Sequence, residues 1–421
     1  MPPVSPAPLR LAAPVSALLA LACTPGPADP VPQDIPAASA APLEPAAAPA
    51  DVARGRALLD KFECARCHDG AGLTTPPRDR HCVNCHQDVL AGTFPADPAV
   101  LTEWQHHITH LVELPALHGL DRFRRAHLAA WLAAPHDLRP RLNSTMPRLR
   151  LADGDAAALA AVLVPAAESA APALPADPQR GRLLLARNGC MTCHVFTGVP
   201  AIEVNEIPVV LADAVITRAI AQAPDLRHTR DRLRPAGLHA WLLDPPAVKP
   251  GTLMPKLPLS AEDAAHIAAY LTTAALAPLP PPVLPTRLPL LDRRVTWAEV
   301  DAKIFKKTCW HCHSDPDFAR GDGGPGNSGG FGFPGRKLDL ASYAGISSGS
   351  LGPDNQRRSV FKPIPFAGAE VPRIVAHLLA RHHEVALAPD PDLRGMPLGL
   401  TPVALEDIQL LETWIAQGRP E

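Results

Sequence analysis

The 421-residue chain is poor in aromatic residues, at 4%, and nearly without net charge, at −2. So few aromatics argue against one large core and favour several small ones. The balanced charge, with no long run of either sign, excludes an electrostatic nucleic-acid surface and a solvating acidic tail. Past the N-terminus no apolar stretch reaches the roughly 18 residues that a membrane-spanning helix needs. No convincing run of alternating apolar and polar residues reads as strand, so every strong periodic signal is helical. No phosphate loop and no Ser/His/Asp array is present.

Proline is abundant, at 52 residues, and it punctuates the chain. Residues 1–22 combine a single positive charge, Arg10, an apolar run and small residues, which is the layout of a secretory signal. The run stops at Cys23, the one cysteine outside a repeated motif. "ALAC" resembles a bacterial lipobox, with Ala20 where that family prefers leucine, and the resemblance implies an acylated Cys23. An Ala/Pro-rich tether, 23–50, follows. Two further Pro/Ala-rich stretches, 164–177 and 277–293, are poor helix formers, because proline lacks the donor N–H and clashes with the preceding turn. They leave three blocks: 51–165, 176–276 and 294–421.

Blocks one and two repeat each other. "DVARGRALLDKFECARCH" parallels "DPQRGRLLLARNGCMTCH", and "DRFRRAHLAAWLAAPHDL" parallels "DRLRPAGLHAWLLDPPAV". The offset falls from 126 residues at the cysteines to 110 at Trp131 and Trp241, so block one carries an insertion. Block three opens with the helix-like "WAEVDAKIFKKTC" and closes with "EDIQLLETWIAQG". Between them "GDGGPGNSGGFGFPG" reads as irregular.

Eight cysteines form four C-x-x-C pairs: Cys64/Cys67, Cys82/Cys85, Cys190/Cys193 and Cys309/Cys312. A histidine follows each pair at once: His68, His86, His194 and His313. This is the attachment pattern of c-type haem. Two thiols add to the two vinyl groups of the porphyrin, and the next imidazole faces the iron. Zinc sites do not specify that adjacent histidine, and neither does a redox-active C-x-x-C pair. The expected cofactor is therefore haem c, four times, covalently attached.

Of five methionines, Met1 initiates and Met191 lies inside a motif. Met146, Met254 and Met396 remain, one per block, each followed by proline and each downstream of its motif. A thioether on such a loop suits the second axial position, where it stabilises ferrous iron. The alternative is gap filling in a core. Three methionines for four haems leave the Cys82/Cys85 haem without one. "EWQHHITHLVEL" lies just downstream, and its block-two counterpart has no histidine. His110, then His107, are the candidates for that position, with a vacant iron as the alternative. His311, His382 and His383 read as surface residues.

Each block resembles a class I c-type cytochrome domain: an N-terminal helix, the C-x-x-C-H motif, loops, a Met-Pro loop and a C-terminal helix. Block three, with "LDLASYAGISSG" and "GMPLGLTPVALEDIQLLETWIAQG", is similar to the cytochrome c-like domains of large bacterial multihaem proteins, although Val300 stands where the helix glycine is usual. The resemblance implies an all-α fold of three tandem cytochrome c-like domains joined by Pro/Ala-rich linkers and preceded by signal peptide and tether. It implies that backbone carbonyls near "LPALH" and "APDLRH" orient the motif imidazoles. It also implies a periplasm-facing, membrane-anchored lipoprotein that passes single electrons between redox proteins, without nucleic acid. Two other functions stay open: a peroxidase-like or small-molecule-reducing haem enzyme using an open iron at Cys82/Cys85, and a cytochrome subunit of a larger oxidoreductase.

Overall fold

In the computed structural model the described residues are 43–421, apart from 143–145, 205–211 and 315–324. The signal, most of the tether and Cys23 lie outside them. Residues 42–421 form one compact unit.

Block one begins with α1 (Pro49–Lys61), which has proline in its first turn, where the missing N–H costs nothing. It continues with α2 (Cys82–Ala91), α3 (Pro98–His107), α4 (Arg125–Ala133) and α5 (Asp155–Leu163). α1 and α5 cross at Gly55, where a Cβ would overlap the carbonyl oxygen of Ala158. Leu58, Leu59, Phe62, Leu132, Leu159 and Val162 fill this core.

Block two has α6 (Pro178–Arg187), α7 (Asp213–Gln222), α8 (Thr229–Arg232), α9 (Pro235–Leu243), α10 (Pro245–Val248) and α11 (Ala261–Thr273). Asp177 caps α6 through the N–H of Gln179, and Ser260 with Asp263 forms a reciprocal capping box on α11. Gly181 repeats the role of Gly55, with the carbonyl of His266 against it. Leu184, Leu185, Leu238, Leu242, Ile267 and Leu271 form the second core.

Block three has α12 (Trp297–Val300), a π-helical stretch Asp301–Cys309, α13 (Pro325–Ser328), α14 (Tyr343–Ser348), α15 (Arg373–Val385) and α16 (Leu405–Ala416). Val300, Ile304, Phe305, Leu411 and Trp414 are almost wholly buried together. Trp297 stacks on Phe305 with ring centres 5.4 Å apart.

The expectation of an all-α fold of three cytochrome c-like domains is corrected here. Six short strands pair into three antiparallel two-stranded sheets within residues 329–372. They are β1 (Gly329–Gly330) with β2 (Phe333–Pro334), β3 (Ser350–Leu351) with β4 (Arg357–Arg358), and β5 (Pro363–Phe366) with β6 (Ala369–Pro372). The molecule is mainly helical with small sheets. The reason is local. Phe331 and Gly332 have φ of 53° and 76°, and Ala367 and Gly368 have 49° and 79°. Two successive positive φ values make the two-residue turn that matches strand twist. The glycine-rich segment read as irregular thus contains a hairpin.

The blocks touch through specific contacts. Phe123 bridges to its repeat equivalent Leu233. Arg124 N–H donates to Arg232 O at 2.9 Å, and Arg234 N–H to Arg122 O at 2.8 Å. Phe123 and Leu233 thus sit at the centre of the contact, and the two hydrogen bonds flanking them are each other's repeat equivalents. The β1–β2 turn joins block three to block one: Phe331 N–H donates to Glu63 Oε2 at 2.9 Å, and Arg66 lies 5.1 Å from the Phe331 ring centre. Arg394 donates to the carbonyls of Arg148 and Leu149, both at 2.7 Å, tying the Met396 loop to the Met146 loop. Among the described residues no helix is long and apolar enough to cross a membrane.

Candidate functional site

The eight motif cysteines are half-buried, and no disulfide joins them. In blocks one and two a left-handed residue, Glu63 or Gly189, turns the chain into a 3-10 turn, Cys64–Arg66 or Cys190–Thr192. In three motifs the histidine N–H closes onto the carbonyl of the first cysteine: His68 to Cys64, His194 to Cys190 and His313 to Cys309, each at 3.0 Å. One helical turn therefore gathers both thiols and the imidazole. The fourth motif opens α2, whose N-cap is His81: its Nδ1 accepts from Asn84 N–H at 3.2 Å. That capping role accounts for buried His81.

Three motif imidazoles are held the same way. Nδ1 stands 2.9 Å from Pro115 O in His68, 2.9 Å from His110 O in His86 and 2.8 Å from Pro224 O in His194. A carbonyl can only accept, so Nδ1 carries the proton and Nε2 keeps a free lone pair. Such a bond to the remote nitrogen is how proteins orient metal-binding histidines. Burial lowers the pKa of all three and pushes His313 down to about 4. The rings are therefore neutral near pH 7, the form that bonds a metal.

The thiols are mostly held protonated. Burial pushes Cys64 and Cys190 up to about 11, and Cys309 to about 12. A hydrogen bond between the thiols of Cys67 and Cys82 raises the first and lowers the second. Cys312 also feels Cys82, so the motifs at 64–68, 82–86 and 309–313 meet in one region. Among the described residues no three Cys, His, Asp or Glu side chains converge to hold a bare metal ion. The donor set fits an iron porphyrin instead: two thiols and one neutral imidazole with Nε2 free, on a single turn.

The second-ligand candidates are placed unevenly. Met146 packs on the same core as Cys64, and Met396 on the same core as Cys309. Met254 is half-buried on its loop, its N–H donating to Thr252 Oγ1 at 3.3 Å. His107 ends α3 with Nε2 3.5 Å from Glu103. His110 offers its backbone, not its ring, to His86. Its carbonyl sits at Nδ1, on the side of the imidazole away from Nε2, and its ring lies near Thr109 Oγ1, at 3.2 Å.

One histidine escaped the sequence reading. His377, on α15, donates from Nδ1 to Arg394 O at 2.7 Å and contributes to the lowered pKa of His313. His311 is exposed, as expected, and desolvation pushes its pKa down to about 4, with His86 the next contributor. His382 and His383 do pack locally, against Val403 O at 2.8 Å and the Phe366 ring at 4.9 Å. Only a histidine inside a motif, in "CWHCH", marked His311 as unusual. The chain matches no family model, no curated protein and no solved structure.

Proposed function

We propose that this chain is a tetrahaem c-type cytochrome that carries single electrons between redox proteins on the periplasmic side of a bacterial membrane, anchored through Cys23. The observation that supports it best is the shared geometry of His68, His86 and His194, each with Nδ1 committed to a carbonyl and Nε2 left free, directly after its own pair of motif cysteines. Each cysteine would add its S–H across one porphyrin vinyl group, the sulfur bonding one carbon and the hydrogen going to the other. When bound, the iron supplies a one-electron redox couple whose potential follows its axial ligands and burial. His68, His86, His194 and His313 would each hold one iron, and Met146, Met254 and Met396 would supply a second donor in the blocks of His68, His194 and His313.

The chain's own part is to hold these donors rigidly, exclude water and bring the centres close. The meeting of Cys67, Cys82 and Cys312 favours rapid exchange between blocks one and three. The test is intact-mass measurement of protein matured in a host with the cytochrome c assembly machinery. Four porphyrin adducts are expected, and a bare processed chain would overturn the reading.

A further inference from the structure

We infer that His311, although it lies inside another attachment motif, is the second axial ligand of the haem carried by Cys82, Cys85 and His86. This rests on the haem reading above and assigns the one iron for which the sequence supplies no methionine.

The first observation is spacing. The rings of His86 and His311 have centres 6.3 Å apart and planes inclined at 51°. That is too far for stacking, and no hydrogen bond joins them. Two imidazoles on opposite sides of one metal, each at a bond of about 2 Å, have ring centres roughly 6 Å apart. The second observation is direction. His86 Nδ1 is taken by His110 O, so the free Nε2 points away from α3 and its following loop, which removes the ring of His110 from that side. The third is environment. His311 is exposed and stands edge-on to Trp310 at 5.7 Å, so its ring is open to a further partner.

Block three brings His311 there through the β1–β2 turn docked on Glu63 and Arg66. A second histidine pair, His136 and His228, has a similar separation of 6.4 Å. Neither belongs to an attachment motif, so that pair has no thiols to fix a porphyrin. His86 does.

The assignment also has a structural consequence. A haem bonded to block one through its thioethers and to block three through its iron would clamp the two together. A ligand that binds only the assembled state stabilises that state.

The experiment compares wild type with His311→Ala, His311→Met and His110→Ala, all matured with haem. The readouts are intact mass, magnetic circular dichroism of the oxidised protein, and carbon monoxide uptake by the reduced protein. In His311→Ala the adduct count stays at the wild-type value, one bis-histidine low-spin centre disappears, and one equivalent of carbon monoxide is gained. Added imidazole restores the low-spin signal. In His311→Met the bis-histidine signal is replaced by a histidine–methionine one. In His110→Ala the carbonyl persists and the signal is unchanged.

A full set of adducts with an unaltered bis-histidine count in both His311 variants overturns the assignment and leaves the haem reading intact. Loss of that centre in His110→Ala instead would return the role to His110. A wild-type chain without adducts removes the haem reading itself. If alanine prevents folding, His311→Met decides by the same spectral criterion.

Discussion

Single residues carry the chemistry, and each can be removed separately. Replacing Cys82 and Cys85 with alanine should lower the adduct mass by one porphyrin while the other three motifs keep theirs, because each thioether pair is set by its own turn. Intact mass checks this. Under the proposed haem reading, Met396 and His377 are the two candidate second donors in block three. Met396→Leu should abolish a histidine–methionine signal in the magnetic circular dichroism spectrum, and His377→Leu should leave that signal in place. The reverse pattern would make His377 the ligand.

A third test at this scale uses His127, outside the ligand set, whose imidazole is pushed down to about 4 by burial, then by Arg232, His228 and His136. Its folded pKa lies below the unfolded value of about 6.5. The unfolded chain therefore binds more protons in that interval, and stability falls as pH drops from about 6.5 toward 4. His127→Gln should flatten that slope in denaturant melts at stepped pH. The residue scale was also the most legible in sequence. All eight motif cysteines and their histidines are read from spacing alone, since the geometry of C-x-x-C-H is closed within one turn. His110 was noticed for its side chain, whereas the fold uses its carbonyl, which every residue possesses and no sequence pattern marks.

At the scale of elements, the crossing of α1 on α5 and of α6 on α11 depends on glycine. At Gly181 a Cβ would overlap the carbonyl of His266, a backbone atom that cannot swing aside. Gly181→Ala should destabilise block two by about 1–3 kcal/mol, the usual cost of overpacking a core, read as a lowered denaturant midpoint. Block three has no such glycine. It enters its motif through the π-helical stretch Asp301–Cys309, where Trp310 N–H bonds to Phe305 O at 3.0 Å, five residues back. Helix positions were legible because apolar spacing and caps such as Ser260 are local signals. The strands were not. β1 and β2 have two residues each, too few for alternation to show, and their pairing is set by the positive φ of Phe331 and Gly332.

At the scale of the whole molecule, three cores share one compact unit through a small number of polar contacts. Arg394 makes two charge-assisted hydrogen bonds from the Met396 loop to the Met146 loop, each worth about 1.5–3 kcal/mol where buried and somewhat less at half exposure. Arg394→Ala should separate the unfolding of block three from that of block one, so that calorimetry of the holoprotein resolves an additional transition. A single unchanged transition would mean that the other contacts suffice. The pairing of Phe123 with Leu233 and of Arg124 with Arg232 turns the internal repeat into a self-complementary contact. The repeat was visible in sequence, but which of its faces meet was not.

What the amino-acid order determined by itself is everything closed over a few bonds: four C-x-x-C-H turns, the helix starts, the repeat and the three blocks. Only the tertiary structure decided which side chains meet across the chain. His86 and His311 are 225 residues apart, and between their blocks lies a hairpin turn that docks on Glu63 through its backbone and on Arg66 through the Phe331 ring. Short-range geometry is fixed by covalent reach, while long-range partners follow from how several packed surfaces fit at once.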